Sequence, residues 1–237
     1  MPELASLGRL RYTFEEYEQL LTSLLEDGYT FTDFSSLESN EIVLRHDVDL
    51  SPMRALEMAR IEASLGVQST YCVLLTTPVY NLLEVDHVNA LSEIVALGHD
   101  VALHFDTHHY WSSRPNVDEL STRVRAECDV IGQLIGDEVD VVSFHRPPSW
   151  VLDVDFDGFV NTYGPQFFSE TTYVSDSSQK WRAESPFPDS RPDHLQLLVH
   201  PGLWGPNPRR MDDILAELAV ERYADVDAYL DPMESKA

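Results

Sequence analysis

Apolar and polar positions recur along the chain with two periods, and the switches between them mark its elements. Thr13 and Glu16 stand three apart ahead of an amphipathic run, a capping box that predicts a helix to residue 26, closed by Gly28. IVLRHDVD, residues 42–49, reads as an apolar strand running into polar positions. Ser51 and Pro52 supply an N-cap and first-turn proline for a helix to residue 65, stopped by Gly66. STYCVLL (69–75) is a strand, 83–97 a helical stretch ending at Gly98, and HDVALHF (99–105) a strand again. A helix over 117–135 stops at Gly136, and VDVVSFH (139–145) is the next strand. From 147 to 192 Pro, Asp, Ser and aromatic residues dominate, which predicts long loops with short strands. LQLLVH (195–200) then reads as a strand and 208–220 as a helix.

Strands that are apolar throughout, alternating with helices, form the pattern of a parallel sheet covered by helices. In a (β/α) barrel the C-terminal strand ends face one mouth, where active sites are built. Asp47 and Asp49, His104, His145 with Arg146, and His200 all stand at such ends. The length of 237 residues predicts one catalytic domain over 1–237.

Charge narrows the partners. The chain has 41 acidic and 16 basic residues, a net charge of −25, with Lys180 and Lys236 its only lysines. It contains no run of four basic residues to replace the counterions of a phosphate backbone, which argues against nucleic acid as a partner. The same surface repels anionic lipid. No apolar run reaches membrane-spanning length and the N-terminus lacks a signal-type apolar stretch, so no membrane insertion and a cytoplasmic location are expected. So acidic a chain fits a halophilic host, because the Debye length falls to about 3 Å at 1 M salt. Cys72 and Cys128 sit at no ligand spacing and read as buried or half-buried thiols without a disulfide.

Asp47 and Asp49, two apart on an extended segment, point to one side, so that one can bind a cation while the other stays free as a base. His104 and His108 are four apart just after a strand, where a turn of helix would place both rings on one face for chelation; His109 is a rival for His108. An Asp-His-His set leaves coordination positions open for water and thus for hydrolysis. It accepts one divalent ion: zinc by prevalence, with cobalt, nickel, manganese or iron also suited.

The strings RHDVD, GHDVALHFDTH, FHRPP, SDSSQKW and LLVH, in this order over residues 42–200, resemble the polysaccharide deacetylase family, also called NodB-homology or carbohydrate esterase family 4. The resemblance implies a distorted (β/α) barrel of about seven parallel strands and a metal-dependent hydrolase that removes an N-acetyl group from an amino sugar. It makes Asp47 the base, Asp49, His104 and His108 the metal ligands, and Arg146 the arginine that orients the base. His200 becomes the acid, Asp176 its carboxylate partner, Leu198 the wall of an acetyl pocket and Trp181 part of the cleft. The usual adjacent acid pair is here Asp-Val-Asp, which leaves the roles of Asp47 and Asp49 exchangeable.

The substrate expected is a carbohydrate, either a glycan precursor or a nucleotide- or lipid-linked sugar. Two alternatives stand beside it: an amidohydrolase on a small non-sugar or cyclic amide, and an inactive carbohydrate-binding barrel. A cleft lined by Trp181, Trp204 or Tyr163 would favour sugar stacking over a small closed pocket.

Overall fold

The computed structural model describes residues 8–187 and 192–234, with side chains to residue 230. Helix α1 (Phe14–Glu26) opens with the expected capping box, Thr13 and Glu16 each accepting the other's backbone N–H. A short strand β1 (Thr30–Thr32) follows, then β2 (Glu41–Val48). Helix α2 (Pro52–Leu65) has Ser51 as its N-cap and ends at Gly66, whose φ of 70° only glycine adopts without steric cost. Next come β3 (Thr70–Leu74), α3 (Val85–Ala96), β4 (Asp100–Phe105), the single turn α4 (Thr107–Tyr110), α5 (Val117–Ile135) and β5 (Val141–Phe144). Two short strands, β6 (Val160–Asn161) and β7 (Thr172–Ser175), lie in the segment expected to be mostly loop. Strand β8 (Leu195–Val199) and helix α6 (Met211–Glu234) complete the chain. Helix α6 runs well past the expected end at residue 220, because no Gly or Pro interrupts 211–231.

All pairings between the named strands are parallel, and the sheet runs β6-β5-β4-β3-β2-β8-β7, with β1 added beside the start of β2. This is the expected distorted (β/α) barrel, curled and left open: β6 and β7 are edge strands with no pairing between them. β1 escaped sequence reading because three residues carry too little periodicity.

Alternation along β2 divides the interior from the helical layer. Ile42 and Leu44 pack in one cluster with Tyr17, Leu20, Leu21 and Leu24 of α1 and Met58 of α2. His46 faces the same layer, where the fully buried Glu62 of α2 lies 2.7 Å from its Nε2. Glu62 also accepts from the hydroxyls of Tyr17, Tyr71 and Ser69. Arg45 and Asp47 point the other way, into the barrel, and are also buried. Both cysteines are buried, and among the described residues no helix is long and apolar enough to cross a membrane.

Candidate metal centre and acid–base site

Asp49 lies just beyond β2, His104 near the end of β4 and His145 just beyond β5. β4 and β5 pair in register with His104 beside Ser143, and His145 is two residues on, so both imidazoles emerge on the inner face. His104 Nε2, His145 Nδ1 and Asp49 Oδ1 form a triangle whose three edges are each 3.1 Å. Ligand atoms about 2.0–2.1 Å from one ion span edges of roughly 2.9–3.4 Å, so these three residues fit a divalent cation. Asp49 Oδ1 is buried and has no hydrogen-bond partner of good geometry despite its two close nitrogens, as befits an atom aimed at a shared ion. The other ring nitrogen of His104, Nδ1, lies 3.1 Å from Ser143 Oγ, which fixes the ring. Burial works against ionisation of Asp49, but the close approach of His104 and His145 prevails and holds its carboxyl far below the usual range.

Asp47 stands beneath this group. Its Oδ2 accepts from Arg45 Nη2 at 3.1 Å, while its Oδ1 lies 3.8 Å from His104 Nδ1 and has no hydrogen-bond partner. The Arg45 guanidinium outweighs the burial that would raise the Asp47 pKa and leaves it below the ordinary carboxylate value. Arg45 is itself completely buried, donating to Thr162 Oγ1 at 2.8 Å, Gln196 Oε1 at 2.7 Å and the Tyr163 hydroxyl at 2.7 Å. Its planar cation also lies over the Tyr163 ring, 4.5 Å from the centroid.

On the opposite flank, His200 follows β8 with Nε2 3.9 Å from Asp49 Oδ2. Its Nδ1 is 2.5 Å from Asp176 Oδ1, and its backbone N–H donates to both oxygens of that carboxylate. Trp204 Nε1 donates to Asp176 Oδ2 at 2.8 Å, so Asp176, with no exposed surface, is fully engaged. Burial lowers the His200 pKa, but the Asp176 charge overrides it and pushes the imidazole up to about 9. Gly202 lets this loop approach the one carrying Asp49: a Cβ there would meet Leu50 Cβ at 2.6 Å. Leu198 is buried on the strand face shared with Gln196 and His200, the side to which Arg45 and Asp47 point.

Four residues nominated from sequence, His108, its rival His109, Arg146 and Trp181, lie elsewhere. His108 is exposed, with its Nε2 3.3 Å from the Arg146 carbonyl oxygen, and His145 joins His104 and Asp49 instead. The chain leaves β4 at Phe105 and Asp106 is an extended N-cap, so no continuous helical turn connects His104 to His108 and four-residue spacing does not bring them together. His109 is exposed as well. Arg146 has a φ of 46°, a left-handed turn after which its side chain lies outside, 65% exposed and 3.2 Å from Asp106; Arg45 is the arginine at Asp47. Trp181 is 1% exposed and packs with Tyr12 and Trp204, one layer behind Asp176. Sequence reasoning gave Arg45 no role although it opens the RHDVD string, because its partners Thr162, Tyr163 and Gln196 are distant in sequence. His145 was visible at a strand end but was not placed in the ligand set.

No protein-family model and no curated protein sequence matches the chain. Solved structures similar to it include a family 4 acetyl xylan esterase from Clostridium thermocellum in complex with a cobalt ion, at 14% identity and TM-score 0.45 over 76% of this chain and 84% of that one. A Streptococcus pyogenes deacetylase in complex with acetate is similar at 14% identity and TM-score 0.45, over 79% of this chain and 81% of that one. A family 4 carbohydrate esterase pseudoenzyme from Bacillus anthracis is similar at 13% identity and TM-score 0.44, over 76% of this chain and 60% of that one. At these distances, activity does not transfer from one chain to another.

Proposed function

We propose that this chain is a metal-dependent hydrolase that removes an N-acetyl group from an amino sugar. The observation that carries the reading is the placement of a carboxylate with one free oxygen, Asp47 Oδ1, and a carboxylate-backed imidazole, His200, on two flanks of the Asp49, His104 and His145 triangle. A divalent ion held by those three residues, zinc by prevalence, would supply Lewis-acid polarisation of the amide carbonyl and acidify water. Asp47 takes a proton from the attacking water through Oδ1 while Arg45 fixes its carboxylate. His200, held protonated by Asp176, gives its proton to the departing amine from Nε2, because Nδ1 is committed to the carboxylate. Leu198 offers an apolar surface on the same inner face for the acetyl methyl.

The carbohydrate part rests on the motif resemblance and on half-buried Tyr110, Trp111 and Trp150, which follow β4 and β5, the strands that position His104 and His145. A competing observation favours a small non-sugar amide: Trp181, Trp204 and Tyr163 are 1%, 0% and 4% exposed, so none presents a face to a sugar ring. A cytosolic, high-salt setting, with a nucleotide- or lipid-linked sugar as substrate, fits the acidic composition and the two thiols.

The deciding experiment measures acetate release from N-acetylated nucleotide sugars beside ring opening of small cyclic amides, with zinc, cobalt or manganese supplied. Acetate release that vanishes in Asp47→Asn while metal content is retained supports the deacetylase reading. Turnover confined to cyclic amides selects the second, and a near-normal rate in Asp47→Asn rejects this division of roles.

A further inference from the structure

Helix α6 meets the body of the protein along its first half, where Ile214 is buried, Leu218 half-buried, and Glu221 and Arg222 line a cavity with Arg54, Glu57 and Arg60 of α2. Beyond Leu218, every residue through Leu230 except the half-buried Arg222 is exposed. A helical extension of this length is marginal in water unless an apolar face is packed. Such a face exists. At 100° per residue, Leu215, Ala219, Tyr223, Val226, Tyr229 and Leu230 fall within an arc of about 120°, which also takes in Met211 and Asp212 at the helix start and Arg222, while Glu217, Val220, Glu221, Asp225 and Asp227 lie outside it. Leu215 is 51%, Tyr223 75%, Val226 57%, Tyr229 70% and Leu230 44% exposed. These five side chains offer on the order of 600 Å², most of the roughly 800 Å² that each partner brings to a standard interface.

We propose that this face is the interface between two copies of the chain, packed with their α6 helices antiparallel about a two-fold axis. The stripe is its own complement: Ala219, Tyr223, Val226 and Leu230 are separated by steps that read the same in either direction. An antiparallel copy therefore sets Tyr223 beside the other copy's Val226 and Ala219 beside its Leu230, pairing large with small at both levels. The four facing positions Ala219, Tyr223, Val226 and Leu230 carry no acidic side chain, so the repulsion between two chains of charge −25 acts at longer range and is screened by salt. The inference stands independently of the proposed activity.

Sedimentation velocity of the full chain in low and in molar salt tests it, beside Tyr223→Glu with Val226→Glu. The parent should sediment as a dimer that tightens with salt, and the double variant should weaken association a hundredfold or more while keeping the parent's thermal midpoint for the body. Oxidative cross-linking of an Ala219→Cys chain mixed with a Leu230→Cys chain should exceed that of either alone. A parent that is monomeric at every salt concentration, or a double variant that remains dimeric, overturns the proposal; cross-linking strongest between two Ala219→Cys chains overturns the antiparallel arrangement.

Discussion

His104 Nε2 and His145 Nδ1 face each other across 3.1 Å, although they are contributed by different strands. Two ring nitrogens at that distance, both 3.1 Å from one carboxylate oxygen, make a stable arrangement when a cation lies between them. His145→Ala should therefore lower divalent-metal affinity by about a hundredfold or more, whereas His108→Ala should change it less than about threefold. Metal titration by calorimetry and metal content after dialysis check this; equal losses in the two variants would return His108 to the ligand set.

Arg45 makes a second, separable prediction. Arg45→Met leaves the buried Asp47 without its guanidinium and Gln196 Oε1 without its donor, a change expected to cost about 3–5 kcal/mol. Arg45→Lys keeps the charge but loses the fork, so it should be less destabilised and still lose turnover. Arg146→Ala, at a solvent-exposed pair with Asp106, should change stability by less than about 1 kcal/mol. Urea unfolding of the three variants orders them.

The pairing of His200 with Asp176 gives a pH signature in metal-free protein. A histidine raised from 6.5 to about 9 contributes stability that is full below its ordinary value and is lost as pH rises through about 9. Thermal midpoints should fall between pH 7 and 10, and His200→Gln should flatten that fall. Under the proposed mechanism Asp176→Asn should also reduce kcat by about a hundredfold with little change in KM.

The opposite sign holds at Glu62. Its burial alone would raise the pKa, but His46 and the surrounding donors keep it below the ordinary value near 4.5. Its contribution is thus present above that value and disappears as pH falls through the depressed one. Groups facing it are His46, His99, Tyr17, Tyr71 and Ser69. Glu62→Gln should be less stable at neutral pH and lose less on acidification, which acid titration followed by circular dichroism would show.

The fold was legible where periodicity and caps coincide. Thr13 with Glu16, Ser51 with Pro52, and Gly66 lie at element ends as their chemistry requires, and the apolar runs at β2, β4 and β8 became buried parallel strands. The site was legible only to the level of the strand end. Which of two neighbours turns inward depends on backbone torsions that composition does not encode: His145 and Arg146 are adjacent, yet one joins His104 and the other, at φ 46°, reaches Asp106 outside. Arg45 was hidden for a related reason, since its partners Thr162, Tyr163 and Gln196 are more than a hundred residues away in sequence.

Those same partners give the open edge of the sheet its meaning. No backbone ladder joins β6 to β7, yet Arg45 grips Thr162 just past β6 and Gln196 on β8, and Gln196 in turn donates to the carbonyls of Thr162 and Phe167. Side chains thus act as a keystone across a gap that strands leave unspanned. Any breathing of that seam would pull on the guanidinium that holds Asp47, which couples the widening of the barrel wall to the loss of a poised base.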